Sequence, residues 1–172
     1  MKTVTYIGIV LVVLMALTAA PALAGQTTVV KVRATTAIPA NTPVTNTCVT
    51  PNQSLLLNGN IKLFAHVALH KDGKFTGGLE ARPDGVTATD PVSGTVYNGR
   101  GVAVTNLKGQ ATAFPVTIAS LPIKFNLVGQ TKAHKNIVLH GTVTLTNVVI
   151  QASGITTDPI NPAAIVFRCS GS

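Results

Sequence analysis

The stretch NIKLFAHVALHKDGKFTGGLEAR, residues 60–82, decides the fold. Apolar residues occupy every second position over 61–69, and the other face carries Lys62, Phe64, His66, Ala68 and His70. After Asp72-Gly73 the alternation resumes over 74–82. Successive side chains of a β-strand point to opposite faces, and Asp-Gly between two alternating segments is a strong hairpin signal. The stretch therefore predicts two antiparallel strands that each bury one face.

The rest of the chain continues this pattern. Outside the first 24 residues no apolar stripe of helical period persists for ten residues, so we expect no long helix. Gly, Pro and Asn separate the further strands predicted at 85–90, 94–106, 111–119, 122–130, 135–150 and 163–168. The prediction is an all-β antiparallel meander that closes into a small barrel, which would remove exposed strand edges; a two-sheet sandwich is the alternative.

A weak internal repeat runs through the chain. Residues 60–70 align without gaps on residues 136–146, sharing Asn, Ile, Leu, Val and Leu. Each copy is later followed by a similar bend, at Gly85 and at Gly154. Alternating apolar residues match readily by chance, so duplication and coincidence both remain open. A duplication would mean two similar β-meanders in one sheet system.

The N-terminus has the pattern of a cleaved secretory signal. Lys2 precedes an apolar core at 7–17, and Ala22-Leu23-Ala24 is a small-x-small cleavage site. We therefore predict a signal peptide at 1–24 and an exported protein, secreted or periplasmic, with no membrane span after processing. The polar, proline-containing segment 25–47 is predicted as a flexible lead-in, and 48–172 as a single β-domain.

The two cysteines, Cys48 and Cys169, lie near opposite ends of that domain. An exported chain meets an oxidising compartment, where an even cysteine count favours a bridge. Neither cysteine belongs to a C-x-x-C motif, and no histidine lies close by in sequence. We expect a disulfide that brings the first and last strands together.

The net charge of +8 suggests an anionic partner. Twelve basic residues follow the predicted leader, against five acidic residues. An anionic surface polymer is the sharper hypothesis, and a solvated basic exterior is the simpler one. Nucleic acid is not expected, because only 4% of the residues are aromatic and stacking on bases needs aromatic side chains. The oligomeric state is not predicted.

The acidic residues argue against an enzyme. Asp72 and Asp84 precede glycine, Asp90 and Asp158 precede proline, and such dipeptides are typical of turns. The remaining acid, Glu80, is expected to pair with Arg82 on a strand surface. Usual glycoside hydrolysis needs two facing carboxyls, and motifs for nucleophiles or phosphate-binding loops are missing from the sequence. We predict no catalytic residues and no cofactor.

The four histidines are His66, His70, His134 and His140. His66 and His70 share a strand face but are about 13 Å apart, too far to ligate one ion. Either of them and His140 on a neighbouring strand would make a weak zinc or copper site. Simple solvent exposure of these histidines is the favoured interpretation, and no metal site is predicted.

Several short motifs resemble those of an uncharacterised group of small exported bacterial all-β proteins with a terminal cysteine pair. The matching segments are Cys48, Gly59 to Lys62, His66-Val67, Asp72-Gly73, Gly85, Gly94 to Val102 and Cys169. The resemblance covers about 120 residues, and it implies an exported β-domain without assigning any catalytic residue.

Two function hypotheses follow. In the first, a small apolar ligand binds inside the barrel, as in lipocalin-like barrels. The residues expected to face that interior are Leu63, Val67, Leu69, Phe75, Leu79, Val104, Phe125, Leu139 and Val143. In the second, the core is filled, and the chain is a structural or interaction protein of the cell envelope or extracellular space. Both hypotheses are non-enzymatic.

Overall fold

The computed structural model describes residues 27–48, 52–130 and 136–169. The predicted signal peptide and His134 lie outside these residues. Nine strands and one 3-10 helix, Pro162–Ala164, make up the described part. The strands are β1 (Thr28–Asn46), β2 (Gln53–Leu69), β3 (Lys74–Thr89), β4 (Val96–Arg100), β5 (Ala103–Gln110), β6 (Val116–Gln130), β7 (Asn136–Gln151), β8 (Gly154–Thr156) and β9 (Ile165–Cys169). No helix in these residues is long and apolar enough to span a membrane.

All nine strands belong to one antiparallel sheet, which confirms the predicted fold class. The main path runs β1-β2-β3-β4-β6-β7-β8. β3 pairs with β5 over residues 74–81 and with β4 over residues 87–89. β7 likewise pairs with β9 over 139–143 and with β8 over 149–151. The sheet therefore branches at two long strands.

The sheet does not close into the predicted barrel. β1 and β8 are the two ends of the hydrogen-bonded path, and in the described ranges no ladder joins β1 to β8 or β9. β1 approaches those strands through side chains instead, with Thr157 Oγ1 donating to Thr36 Oγ1 at 3.4 Å. Strand alternation predicts a buried face, but it does not determine whether the two ends of a sheet form hydrogen bonds.

The hairpin predicted at residues 60–82 is confirmed. In β2, the residues at 61, 63, 65, 67 and 69 are all buried, and the intervening side chains are exposed or half-buried. Gly73 adopts φ 74°, which the turn between β2 and β3 requires. Asp72 Oδ1 accepts a hydrogen bond from the Lys74 amide at 3.1 Å and stabilises that turn.

The predicted lead-in contributes the first strand instead. β1 occupies residues 28–46 and pairs with β2 along its length, apart from a shift in register between Ile38 and Thr42. Pro39 lies within that irregularity, while Pro43 lies beyond it on a strand with one open edge. Proline lacks an amide donor, and it is tolerated at bulges and edge strands. The prolines therefore do not end β1.

Other strand boundaries also differ from the predictions. The strand expected at 94–106 is two strands, β4 and β5, separated at Gly101, which has φ 116°. Residues 111–115 are irregular, and β6 begins at Val116. Asp84 does not lie in a turn: β3 continues through it, beside a register shift between Asn58 and Asn60. Alternation alone therefore does not distinguish a turn from an irregularity within a paired strand.

The buried hydrophobic side chains form one core cluster on the inner side of the sheet. Eight of the nine residues predicted to face inward are buried, and Val104 is the exception, with 69% of its surface exposed. Val104 pairs with Glu80 on the outer face, and β5 buries Leu107 instead. The largest fully buried side chains are leucines, isoleucines and valines, such as Leu63, Leu139 and Val67.

Cross-strand pairs of glycine with an aromatic residue help to fill this core. Gly141 is directly opposite Phe167, and the Phe167 ring lies over the glycine. Gly129 makes the same contact with Tyr97 on β4. At each glycine an added methyl group would occupy space that the ring already fills. Glycine is therefore needed at both positions, because the opposite aromatic ring packs directly on the glycine backbone.

The disulfide between Cys48 and Cys169 is present, with Cα atoms 5.0 Å apart across 121 residues of sequence. The Cys169 amide donates to Thr47 Oγ1 at 3.1 Å, and it thereby adds a second contact between β9 and the residues directly after β1. The first and last strands lie together as predicted. Such a bond is consistent with an exported protein.

Candidate binding surface

Most charged side chains lie outside the core, and some of them neutralise one another. Lys62 and Asp84 form an ion pair at 2.9 Å, as do Lys74 and Asp72, and Arg82 pairs with Glu80 as predicted. These pairs are largely exposed, so each contributes little to stability. Several basic side chains have no ion pair with any described residue, among them Lys31, Arg33, Arg100, Lys124 and Arg168.

A first hollow lies on the outer face of β1, β2, β3 and β5, and we call it the N-terminal cleft. Its volume is about 460 Å³. The side chains that define it are Lys31, Arg33, Phe64, His66, Glu80 and Val104, with Gly78 between them. An adjoining groove of about 450 Å³ shares Arg33 and Phe64 and extends the cleft along β1 and β2.

The floor of the N-terminal cleft is a half-buried aromatic ring bordered by arginines. Arg33, Phe64, Glu80 and Val104 lie directly opposite one another on four adjacent strands. The Arg33 guanidinium lies 5.1 Å from the Phe64 ring centre, and the Arg82 guanidinium lies 6.0 Å from it. Arg33 forms this cation–π contact and has no ion pair with a carboxylate of the described residues. The cleft thus combines an apolar floor with an available cation.

A second hollow lies on the outer face of β6, β7 and β9, and we call it the C-terminal cleft. Its volume is about 570 Å³, and its defining side chains are Lys124, Asn126, His140, Thr142, Val166 and Arg168. Asn126, His140 and Arg168 lie directly opposite one another, and Arg100 on β4 extends the same row. No carboxylate lines this cleft among the described residues. The charges in it are therefore of one sign.

A hydrogen bond orients the imidazole in the C-terminal cleft. His140 Nδ1 lies 2.7 Å from Asn126 Oδ1. An amide oxygen only accepts, so His140 donates from Nδ1 and keeps Nε2 for another partner. In the neutral ring Nε2 accepts, which suits a hydroxyl group, while Lys124 and Arg168 donate to the oxygen atoms of an anion.

The acidic residues outside the clefts have structural roles. Asp90 is 3% exposed, and it accepts hydrogen bonds from the Val92 amide at 2.8 Å and from Ser93 Oγ at 2.5 Å. The bond from Ser93 is the main cause that holds the pKa of Asp90 below its ordinary value, although burial opposes it. Asp158 Oδ2 accepts from Asn147 Nδ2 at 2.6 Å. Both carboxylates therefore stabilise bends of the chain, in agreement with the sequence analysis.

The structure separates the histidines that were considered as metal ligands. His66 lies on β2 and His140 on β7, with β3, β4 and β6 between those strands in the sheet. They are therefore not on neighbouring strands, and that suggestion was wrong. His70 Nε2 lies 2.7 Å from Thr76 Oγ1. Within the described ranges, no three metal-ligating side chains come together.

Sequence reasoning did not identify either cleft. It placed Lys62, Phe64 and His66 on one outer face but gave no register for the strands beside them. The register brings Lys31 opposite His66, and no local pattern encodes such pairing between separate strands. The one signal in the sequence that pointed to the clefts was the alignment of 60–70 with 136–146, because these residues form the central strands of the two clefts.

Comparison with known proteins adds no relative. No protein-family model, curated protein or solved structure matches the chain. The resemblance to small exported bacterial proteins stays a prediction, and the residues themselves carry the functional argument.

Proposed function

We propose that this chain is an exported, non-enzymatic interaction protein that binds an acidic polysaccharide on its outer faces. The observation that carries the proposal is the distribution of charge. Two outer clefts hold basic side chains without ion pairs to the described residues, while the carboxylates nearby are engaged with other cations or with turns. Such clefts complement the charge of a polyanion.

The packing of the interior supports binding on the outside. Leu63, Val67, Leu139 and Val143 each expose 0% of their surface, and they belong to one core cluster. The side chains that define the two clefts described above lie on the outer faces of their strands, away from that core. The proposal therefore includes a core filled by side chains. The second candidate function is binding of an apolar ligand inside the fold. A lipid retained in native mass spectra of protein from its own host would favour the second.

We also propose that the two groups of strands, β1-β2-β3 and β6-β7-β9, pack inner face against inner face as two layers. The shared core cluster and the contact of β1 with β9 support this arrangement. The outer faces of the two groups then point away from each other. Each cleft is accordingly open to solvent on its own side of the molecule.

A polysaccharide fits the clefts better than a nucleic acid does. Tyr97, Phe125 and Phe167 are at most 4% exposed, so they offer no face for base stacking. The Arg33 guanidinium lies over the half-buried Phe64 ring, where it can form a bidentate contact with a carboxylate of the sugar chain. Thr142 and Asn126 add hydrogen-bonding groups for hydroxyls. We therefore favour a polyuronate as partner.

The proposal is tested by measuring binding of the disulfide-bonded protein to immobilised alginate, a linear polyuronate. We expect retention that weakens as salt rises from 50 to 500 mM, because exposed charges are screened. Dextran, which is uncharged, should retain none. Equal retention on dextran, or no retention on alginate at 50 mM salt, would refute the proposal. Stronger retention on single-stranded DNA than on alginate would replace the polysaccharide with nucleic acid.

A further inference from the structure

The two clefts occupy corresponding places in the two halves of the chain. Aligning residues 60–70 with 136–146 sets β2 on β7. Each of these strands is the central one of three, with the preceding long strand on one side and a later strand on the other. The weak repeat in sequence is thus matched by strand order and pairing.

The clearest correspondence is a lysine in each cleft. Lys31 lies directly opposite His66 on β2, and Lys124 lies directly opposite Thr142 on β7. His66 and Thr142 are aligned residues of the repeat, so the two lysines hold the same place in the two halves. Both lysines are exposed, and neither forms an ion pair with a described residue.

Each cleft contains a second cation of this kind, on a different strand. It is Arg33 on β1 in the N-terminal cleft and Arg168 on β9 in the C-terminal cleft. The place that corresponds to Arg168 in the first half is occupied by Glu80. Because Glu80 is paired with Arg82, it does not cancel the charge of Arg33. Both clefts therefore present two available cations.

We propose that the clefts are two separate binding sites for acidic polysaccharide, so that one protein molecule links two polysaccharide chains. This inference rests on the proposed function, and it adds the number of sites per chain and the cross-linking of polysaccharide that two sites allow. In the proposed two-layer arrangement the inner faces of both halves pack in one core, so that the outer faces open in different directions. A short oligosaccharide fills one cleft at a time, and a long chain bound in one cleft leaves the other open to a second chain.

Linkage of two sites in one molecule changes how the protein acts on a polymer. When two sites engage together, the effective affinity exceeds that of either one, and it is lost if geometry prevents joint binding. With sites on opposite sides, joint engagement requires two chains or a chain that bends around the protein. Long polyuronates should therefore be cross-linked by the folded protein.

The stoichiometry is measured by titration calorimetry with an alginate hexasaccharide at 50 mM salt. We expect two hexasaccharides bound per wild-type chain. The double variant Lys31→Ala/Arg33→Ala should bind one, and Lys124→Ala/Arg168→Ala should also bind one. The variant that combines all four substitutions should lose binding at least tenfold.

Cross-linking is measured in parallel by light scattering with long alginate chains. Wild-type protein should increase the scattering mass of the polymer several-fold, whereas either two-residue variant should bind without that increase. The control with the same loss of net charge is Lys71→Ala/Lys74→Ala, which removes two positive charges where the β2–β3 turn meets β3, outside both clefts. This control should bind two hexasaccharides and cross-link like the wild type.

The outcomes separate this inference from the proposed function. Binding of a single hexasaccharide per chain, with one two-residue variant inactive and the other unchanged, would overturn the two-site inference and leave polysaccharide binding intact. Absence of binding by the wild type would overturn both. A loss of cross-linking by the control variant equal to that of the cleft variants would show that net charge alone matters, and it would also overturn the two-site inference.

Discussion

Shortening one of two aligned core leucines to alanine tests whether the interior is filled. Leu63 on β2 and Leu139 on β7 are each 0% exposed, and they occupy corresponding places in the repeat. Each substitution removes three carbon atoms from the core. Val104→Ala is the control, because that side chain is 69% exposed on the outer face of β5.

The expected losses follow from packing. Removing three buried carbons costs about 2.4 kcal/mol in transfer free energy alone. A close-packed core adds the cost of the cavity left behind, so each leucine variant should lose about 3 to 5 kcal/mol of unfolding free energy. The control should change that free energy by less than about 0.5 kcal/mol.

The assay is urea unfolding at equilibrium, followed by far-ultraviolet circular dichroism with the disulfide intact. The unfolding midpoints of the two leucine variants should fall together, with slopes like that of the wild type. Losses below about 1.5 kcal/mol at both positions would mean that these side chains border open space. That result would refute the filled core and restore the interior ligand site as the leading candidate.

Three further variants probe other parts of the structure. Replacing Cys48 and Cys169 by serine should lower the unfolding free energy by about 4 to 5 kcal/mol, because the bond closes a loop of 121 residues; a loss below about 1 kcal/mol in urea unfolding would contradict this. Gly141→Ala should lose about 1 to 3 kcal/mol, since a methyl group meets the Phe167 ring; an unchanged melting temperature would contradict the packing described. Asp90→Asn should cost about 1 to 2 kcal/mol at pH 7. The pKa of Asp90 is lowered on folding, so its carboxylate stabilises the fold above the ordinary value of 3.8 and loses that effect as pH falls through the folded pKa. The difference in unfolding free energy between wild type and variant should therefore shrink as the pH falls below 3.8, and a difference that is constant with pH would refute this role.

The fold class was predictable because its signals are local. Alternation in residues 61–69 and the Asp72-Gly73 turn specify the β2–β3 hairpin without reference to the rest of the chain. The disulfide was predictable for a different reason, since Cys48 and Cys169 are the only cysteines and their paired state follows from the expected compartment.

The errors arose where tertiary pairing overrides a local signal. Pro39 and Pro43 suggested an irregular segment, yet the edge position and the irregularity of β1 accommodate them. Val104 was assigned to the core because it is apolar, but its register opposite Glu80 places it outside. Barrel closure failed as a prediction because hydrogen bonding between the ends of a sheet depends on curvature, which alternation does not specify.

The clefts could not be predicted from the sequence, because their residues become neighbours only through strand pairing. Lys31 and His66 are distant in sequence, and they become neighbours through the pairing of β1 with β2. Lys124 reaches Thr142 in the same way, through β6 and β7. The repeat alignment contained this correspondence, but it became informative only when the flanking strands were known.

The most direct test of the account is to map a bound oligosaccharide by NMR. Amide chemical shifts of the folded, disulfide-bonded protein are followed while an alginate hexasaccharide is added. We predict that the largest changes fall in two separate groups of residues, around Lys31 and Phe64 and around Lys124 and His140. Changes concentrated at core residues such as Leu63 and Leu139, or no changes at saturating hexasaccharide, would contradict it.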